Sequence, residues 1–282
     1  MQTIAQLEAN ALSQPNSIEV NQALAEAYAL QGRWEEATEI YQALAVLYPS
    51  TASLFTNRIR LGAVALMISS VLIFIADMIQ PILSIGNLTS IKSLTAFAGA
   101  TISPAYLAAQ LLFIIAFALY SCSAISIYKL LSYTRDHRPA FWGMVLNVIG
   151  IGLSMPLLGI NTFVLPLIGR LYLEGETSVL SLYFAMQQNA WQVILHSGNY
   201  LVVAGIAIYS WVVWRNRNLS QGELLIYLAG WVGFTLSNNQ LSKWSLILIG
   251  IMIALGGLGF GRSLWIQASV QFDAGMDRSS HV

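Results

Sequence analysis

The chain has 282 residues, 56% of them hydrophobic and only 9% charged, with zero net charge and a mean hydropathy of +0.65. A soluble domain carries roughly 25% charged residues, so the composition excludes an ordinary soluble globular protein and predicts a multi-span membrane protein. Zero net charge argues against nucleic acid as a partner, and the single cysteine excludes disulfide frameworks, cysteine-based zinc sites and covalent haem attachment.

The start, MQTIAQLEANALSQPNS, shows no basic stretch followed by an apolar core, so no cleavable signal peptide is predicted. Residues 1–57 are polar, rich in Ala and Glu, and contain no run long enough to enter a bilayer. They form a first, cytoplasmic domain. From Asn21 the sequence reads NQALAEAYALQGRWEEATEIYQALAVLYP. Leu24, Ala25 and Tyr28 fall on one face of a first helix, Gly32 in a turn, Ala37 and Tyr41 on a second helix, and Pro49 at its end. Small residues at 25 and 37 let the helices approach while the tyrosines fill the gap between layers.

This segment resembles a tetratricopeptide (TPR) repeat, a helix–turn–helix unit of about 34 residues. Pro15 precedes Pro49 by 34 residues, so Ile4 to Leu12 resembles the last helix of a preceding partial unit. The segment departs from the family pattern at Asn21, where an aromatic is usual, and at Leu44, where Ala is usual. The resemblance implies that a cytoplasmic or membrane protein partner docks here, with Tyr28, Arg33, Glu36 and Tyr41 as protein-binding positions. Glu8, Glu19, Glu26, Glu35, Glu36 and Glu39 against Arg33 would favour a basic partner segment, although a merely solvated helix face has the same composition.

Ser50 or Thr51 can cap a helix that meets no Pro or Gly before Gly62. A continuous helix is therefore predicted from about Thr51 to near Gln80, roughly 45 Å long, closing the repeat and then forming the first span. Six apolar segments follow, at about 61–82, 105–128, 141–166, 190–214, 222–238 and 244–266. The predicted fold is all-α: a polytopic six-helix transmembrane bundle over 58–268, a short TPR-like helical hairpin domain before it, and a polar tail over 269–282. The fifth segment is near the lower limit for spanning. The stretch NLTSIKSLTAFAGATISPAY is mildly amphipathic and is expected at the interface. Pro156 and Pro166 should bend or end the third helix.

With the N-terminus inside, Arg58, Arg60, Lys129, Arg135, Arg138, Arg215 and Arg217 flank the inner ends of the spans, and only Lys92, Arg170 and Lys243 the outer ends. This bias predicts six spans with both termini cytoplasmic, in a bacterial-type inner or plasma membrane or a thylakoid. RDHRP, Arg135 to Pro139, reads as a basic inner loop facing anionic lipid.

Asp77 follows sixteen uncharged residues. A carboxylate deep in a bilayer costs roughly 2.5–3.5 kcal/mol and usually faces the bundle interior. Counted along their helices, Asp77 and His196 lie roughly 25 and 28 Å above the inner face, so the two are expected to pair. Gln188, Gln192, His196, Asn199 and Tyr200 form a polar stripe in the fourth segment, and Asn147 and Asn161 of the third are candidate partners. Such a stripe is either interhelix glue, near 0.6 kcal/mol per bond, or the lining of an outward-opening cavity. The ligand-binding set is Asp77, His196, Gln192, Gln188, Asn199 and Asn161. GGLGFG, Gly256 to Gly261, follows no strand, so it is read as a helix-packing face, with Gly257 and Gly261 in contact, rather than a dinucleotide loop.

The membrane part resembles uncharacterised bacterial six-span membrane proteins through a histidine-then-glycine pattern in the fourth span, here His196, Ser197 and Gly198. That implies an architecture and no activity. No catalytic constellation, metal site or cofactor is expected, and a homo-oligomer is among the expected assemblies. The first functional expectation is an adaptor or assembly factor for a membrane protein complex. The alternative is a small transporter, sensor or ligand-binding bundle built on Asp77 and His196.

Overall fold

The computed structural model describes all residues except 1–2, 32, 34–35, 38, 41–42, 45–48, 82–90, 133–135, 180, 182, 184, 186–189, 217–218, 238–242 and 278–282. Among the described residues the chain is helical throughout, without a strand.

Local chemistry sets the first boundaries. Helix α1 (Ile4–Ser13) begins in a capping box: the Thr3 hydroxyl accepts from the Gln6 amide, and the Gln6 side chain accepts from the Thr3 amide at 2.9 Å. Helix α2 (Ile18–Leu30) starts where the Ser17 hydroxyl accepts from the Val20 amide. The two helices pack together around Leu7, Leu24, Tyr28 and Ala37. Three of those four residues are ones expected to form a helical-hairpin interior.

Helix α3 (Pro49–Ile79) is unbroken over 31 residues, so the continuous helix expected from about Thr51 to near Gln80 is present. Helix α4 (Ile91–Thr101) leads to Ser103, whose hydroxyl accepts from the Tyr106 amide and caps α5 (Pro104–Leu131). Helix α6 (His137–Gly159) passes through a π turn (Ile160–Val164) into α7 (Leu165–Leu173). Then follow α8 (Ala190–Asn216), α9 (Gln221–Ser237) and α10 (Lys243–Asp277).

Pro156 and Pro166 do not stop the third apolar segment. It runs helically from His137 to Leu173. The Leu165 amide reaches back five residues to the Ile160 carbonyl, and the Thr162 hydroxyl donates to the Leu158 carbonyl at 2.6 Å. The wide turn absorbs the local misfit, and Pro166 falls in the first turn of α7, where a missing N–H costs nothing.

Five helices are long and apolar enough to cross a membrane: Thr56–Ile79, Pro104–Leu131, His137–Leu173, His196–Asn216 and Trp244–Ala268. Their outward faces carry large apolar side chains such as Ile115, Trp211, Leu248 and Leu255, half or more exposed. Water would penalise that surface and lipid covers it. The remaining apolar helix, α9, has 17 residues, about 25 Å of helix. In the bundle α3 packs between α5 and α10, α6 lies on α8 and α5, α9 lies on α10 and α8, and α4 lies on α7. Rings of α5 and α9 fill the centre: Phe117 and Tyr120 each stand 5.7 Å from Trp231, and Phe113 stands 6.1 Å from Phe234.

Candidate functional site

In the amino-terminal hairpin, Tyr28 is buried and its hydroxyl donates to a Glu8 carboxylate oxygen at 2.5 Å. That bond, with burial, raises the tyrosine above its ordinary range. The Arg33 guanidinium lies 4.2 Å over the Tyr28 ring and pairs with Glu36 at 2.9 Å. Glu36 is held below the usual carboxylate range by a backbone hydrogen bond and then by Arg33. Tyr28, Arg33 and Glu36 thus come together, with Glu8 as their link. Tyr41 lies outside the described residues.

Of the polar stripe of the fourth apolar segment, Asn199 lies on α8 against α6. The Ser154 hydroxyl donates to the Asn199 side-chain oxygen at 3.0 Å. One residue before Asn199, Gly198 sits on Gly150 of α6: a Cβ on Gly150 would lie 2.6 Å from the Gly198 carbonyl oxygen. The glycine after His196 therefore has a packing role, bringing two backbones into contact. Asn147 is fully buried and turns to the aromatic centre, accepting from the Tyr120 hydroxyl at 2.7 Å and donating to the Gly143 carbonyl. Asn161 lies half-buried in the π turn, and His196 is half-buried on α8. Gln188 and the Gln192 side chain lie outside the described residues.

Asp77 is buried near the end of α3 and faces α10, where its Oδ2 would lie 3.3 Å from a Cβ placed on Gly250. Its helix packs on α5 and α10, whereas the helix of His196 packs on α6 and α9. The expected partners thus sit on helices with different neighbours. Among the described residues Asp77 Oδ2 has no hydrogen-bond partner.

A second polar stripe escaped the sequence reading. Glu223, Tyr227, Trp231 and Thr235 recur every four residues on α9, and each buries a polar atom that has no hydrogen-bond partner among the described residues. Gln110 of α5 does the same. The Tyr227 hydroxyl lies beside the Trp231 indole nitrogen and the Ser70 hydroxyl without the alignment of a hydrogen bond. The glycines of α10 make the room. A Cβ on Gly257 would overlap the Ser70 hydroxyl, and one on Gly259 would overlap the Glu223 side chain. Gly261 sits on Ala63 and Met67 of α3. The run GGLGFG is therefore a packing face, and part of what it accommodates is polar. The spacing of four was the available signal, but Tyr and Trp read as apolar bulk.

Between the other ends of the spans, buried Asp136 pairs with Arg215 at 3.3 Å, tying the start of α6 to the end of α8. Among the described residues no three His, Cys, Asp or Glu side chains gather as metal ligands. No protein-family model, curated protein or solved structure matches the chain.

Proposed function

We propose that the protein is an integral membrane adaptor or assembly factor, in which a TPR-type hairpin docks a cytoplasmic or membrane protein and a six-span bundle holds that hairpin at the bilayer. In this reading α9 is the fifth span, and both ends of the chain face the cytoplasm of a bacterial-type membrane. The observation that carries it is α3, which runs without a break from Pro49 to Ile79, past Asp77. An unbroken helix of this length is a stiff arm. It fixes the orientation of a docking face, which lowers the entropy lost when a partner binds. The linked cluster of Glu8, Tyr28, Arg33 and Glu36 supports the same reading, because it stiffens the face that the TPR resemblance assigns to protein binding.

The test is affinity purification of the full-length chain from crosslinked native membranes, beside an Arg33→Glu variant of equal thermal stability. The expected result is a defined partner whose recovery drops about tenfold, the loss of about 1.4 kcal/mol of binding. Equal recovery of every co-purifying protein with both chains would count against docking through this face.

A further inference from the structure

An unpaired polar atom in a low-dielectric interior is costly. Among the described residues, six side chains on three packed helices each bury a polar atom that has no hydrogen-bond partner: Glu223, Tyr227, Trp231 and Thr235 of α9, Asp77 of α3 and Gln110 of α5. All except Glu223 are more than nine-tenths buried. A purely structural polar layer bonds within itself, as Tyr120 and Asn147 do a short distance away. Among the described residues these six leave a polar atom unsatisfied, although the Tyr227 hydroxyl lies beside the Trp231 nitrogen, and a carboxylate stands towards each end of the series. Glu223 lies opposite Gly259 and Asp77 opposite Gly250, nine residues apart on α10, or about 14 Å along the helix. Between them Tyr227 and Ser70 meet at Gly257.

We propose that the interior shared by α3, α5, α9 and α10 conducts protons between Glu223 and Asp77, with the hydroxyl of Tyr227 as the relay and water molecules as the links. The Glu223 carboxylate takes a proton from water at the start of α9. The Tyr227 oxygen accepts a proton from that side as its own O–H proton leaves towards a linking water. The Asp77 carboxylate takes the last proton and releases it to water. Only O–H bonds form and break, and one proton leaves for each that enters.

Trp231 donates through its indole N–H but cannot accept, so it orients its neighbours and does not relay. Gln110 and Thr235 add buried uncharged oxygens on α5 and α9. Of the other charged groups on these helices, Arg58, Lys129 and Arg262 are exposed, and Arg60 lies over the Trp265 ring at 5.3 Å. Tyr120, the remaining tyrosine beside it, donates its proton to Asn147. The inference does not depend on the docking role, because no residue of the hairpin takes part.

The experiment uses the full-length chain in liposomes holding a pH-sensitive dye, with a potassium gradient and valinomycin to drive proton entry. The native chain is expected to acidify the lumen severalfold faster than protein-free vesicles. Asp77→Asn and Glu223→Gln should return the rate to the vesicle background, Tyr227→Phe should lower it severalfold, and Lys129→Gln should leave it unchanged. Helical circular dichroism and monodisperse elution check each variant, and if Asp77→Asn fails to fold, Glu223→Gln and Tyr227→Phe still report on the path. A native rate equal to the vesicle background, or native rates in folded Glu223→Gln and Tyr227→Phe, would overturn the proposal.

Discussion

At Gly257 a single hydrogen atom lets α10 lie close to both α3 and α9. A methyl group there would overlap the Ser70 hydroxyl, which is already committed to the Leu66 carbonyl at 2.8 Å, and would crowd the Tyr227 ring on the other side. Gly257→Ala is therefore expected to part the helices and cost about 1–3 kcal/mol, as overpacking does. Gly152 is the internal control: it is exposed on α6 and a Cβ would meet nothing within 4 Å. Gly152→Ala should leave the melting temperature equal or raise it, because alanine favours the helix by up to about 1 kcal/mol. Melting curves in detergent decide, and equal losses in both variants would contradict the seam. The sequence identifies the glycines as a packing face through their clustering. It cannot identify what they pack on, because Ser70 and Glu223 reach them only through the register between helices. Asp77 was recognisable as a lone charge in an apolar run, whereas Glu223, Tyr227, Trp231 and Thr235 look individually ordinary and make a set only when read at a spacing of four.

Most of helix α3 was readable from the sequence, since no breaker interrupts it up to Gly62, which sits against Ser126 of α5. It begins at Pro49, however, so Ser50 and Thr51 lie inside it and do not cap it, and Pro49 opens a helix where it was expected to end one. The same Ser126 hydroxyl reaches the Arg58 carbonyl at 3.3 Å, so the helix is already braced by the bundle at Arg58. Trypsin should therefore cut slowly after Arg58 and Arg60 in detergent, because a protease needs an extended segment and both arginines are held in helix. Fast cleavage at this point, with the bundle otherwise intact, would show a hinge where a rigid joint is expected. The third apolar segment was harder to read. Proline content argued for a bend or an end near Pro156 and Pro166, but a π turn costs less than breaking a helix packed against its neighbours. Only tertiary packing makes that choice, and local propensity does not encode it. The shortness of α9 was readable from its apolar run, while its central place came from ring contacts with α5 that no single-chain periodicity contains.

At the scale of the molecule, an amino-terminal hairpin with its own small core precedes a bundle with an aromatic centre, and α3 enters that bundle from Pro49. Apolar composition predicted the long apolar helices of the second part, because a bilayer selects apolar side chains. The docking proposal depends on the hairpin keeping one position relative to the bundle. The most direct measurement is a spin-label distance between exposed Leu12 on α1 and exposed Lys129 on α5, with the exposed Cys122 replaced by serine so that only the two introduced cysteines react. A single narrow distance distribution, the same in detergent and in lipid, is expected of a hairpin carried on a stiff arm. A broad distribution that shifts between the two environments would contradict it.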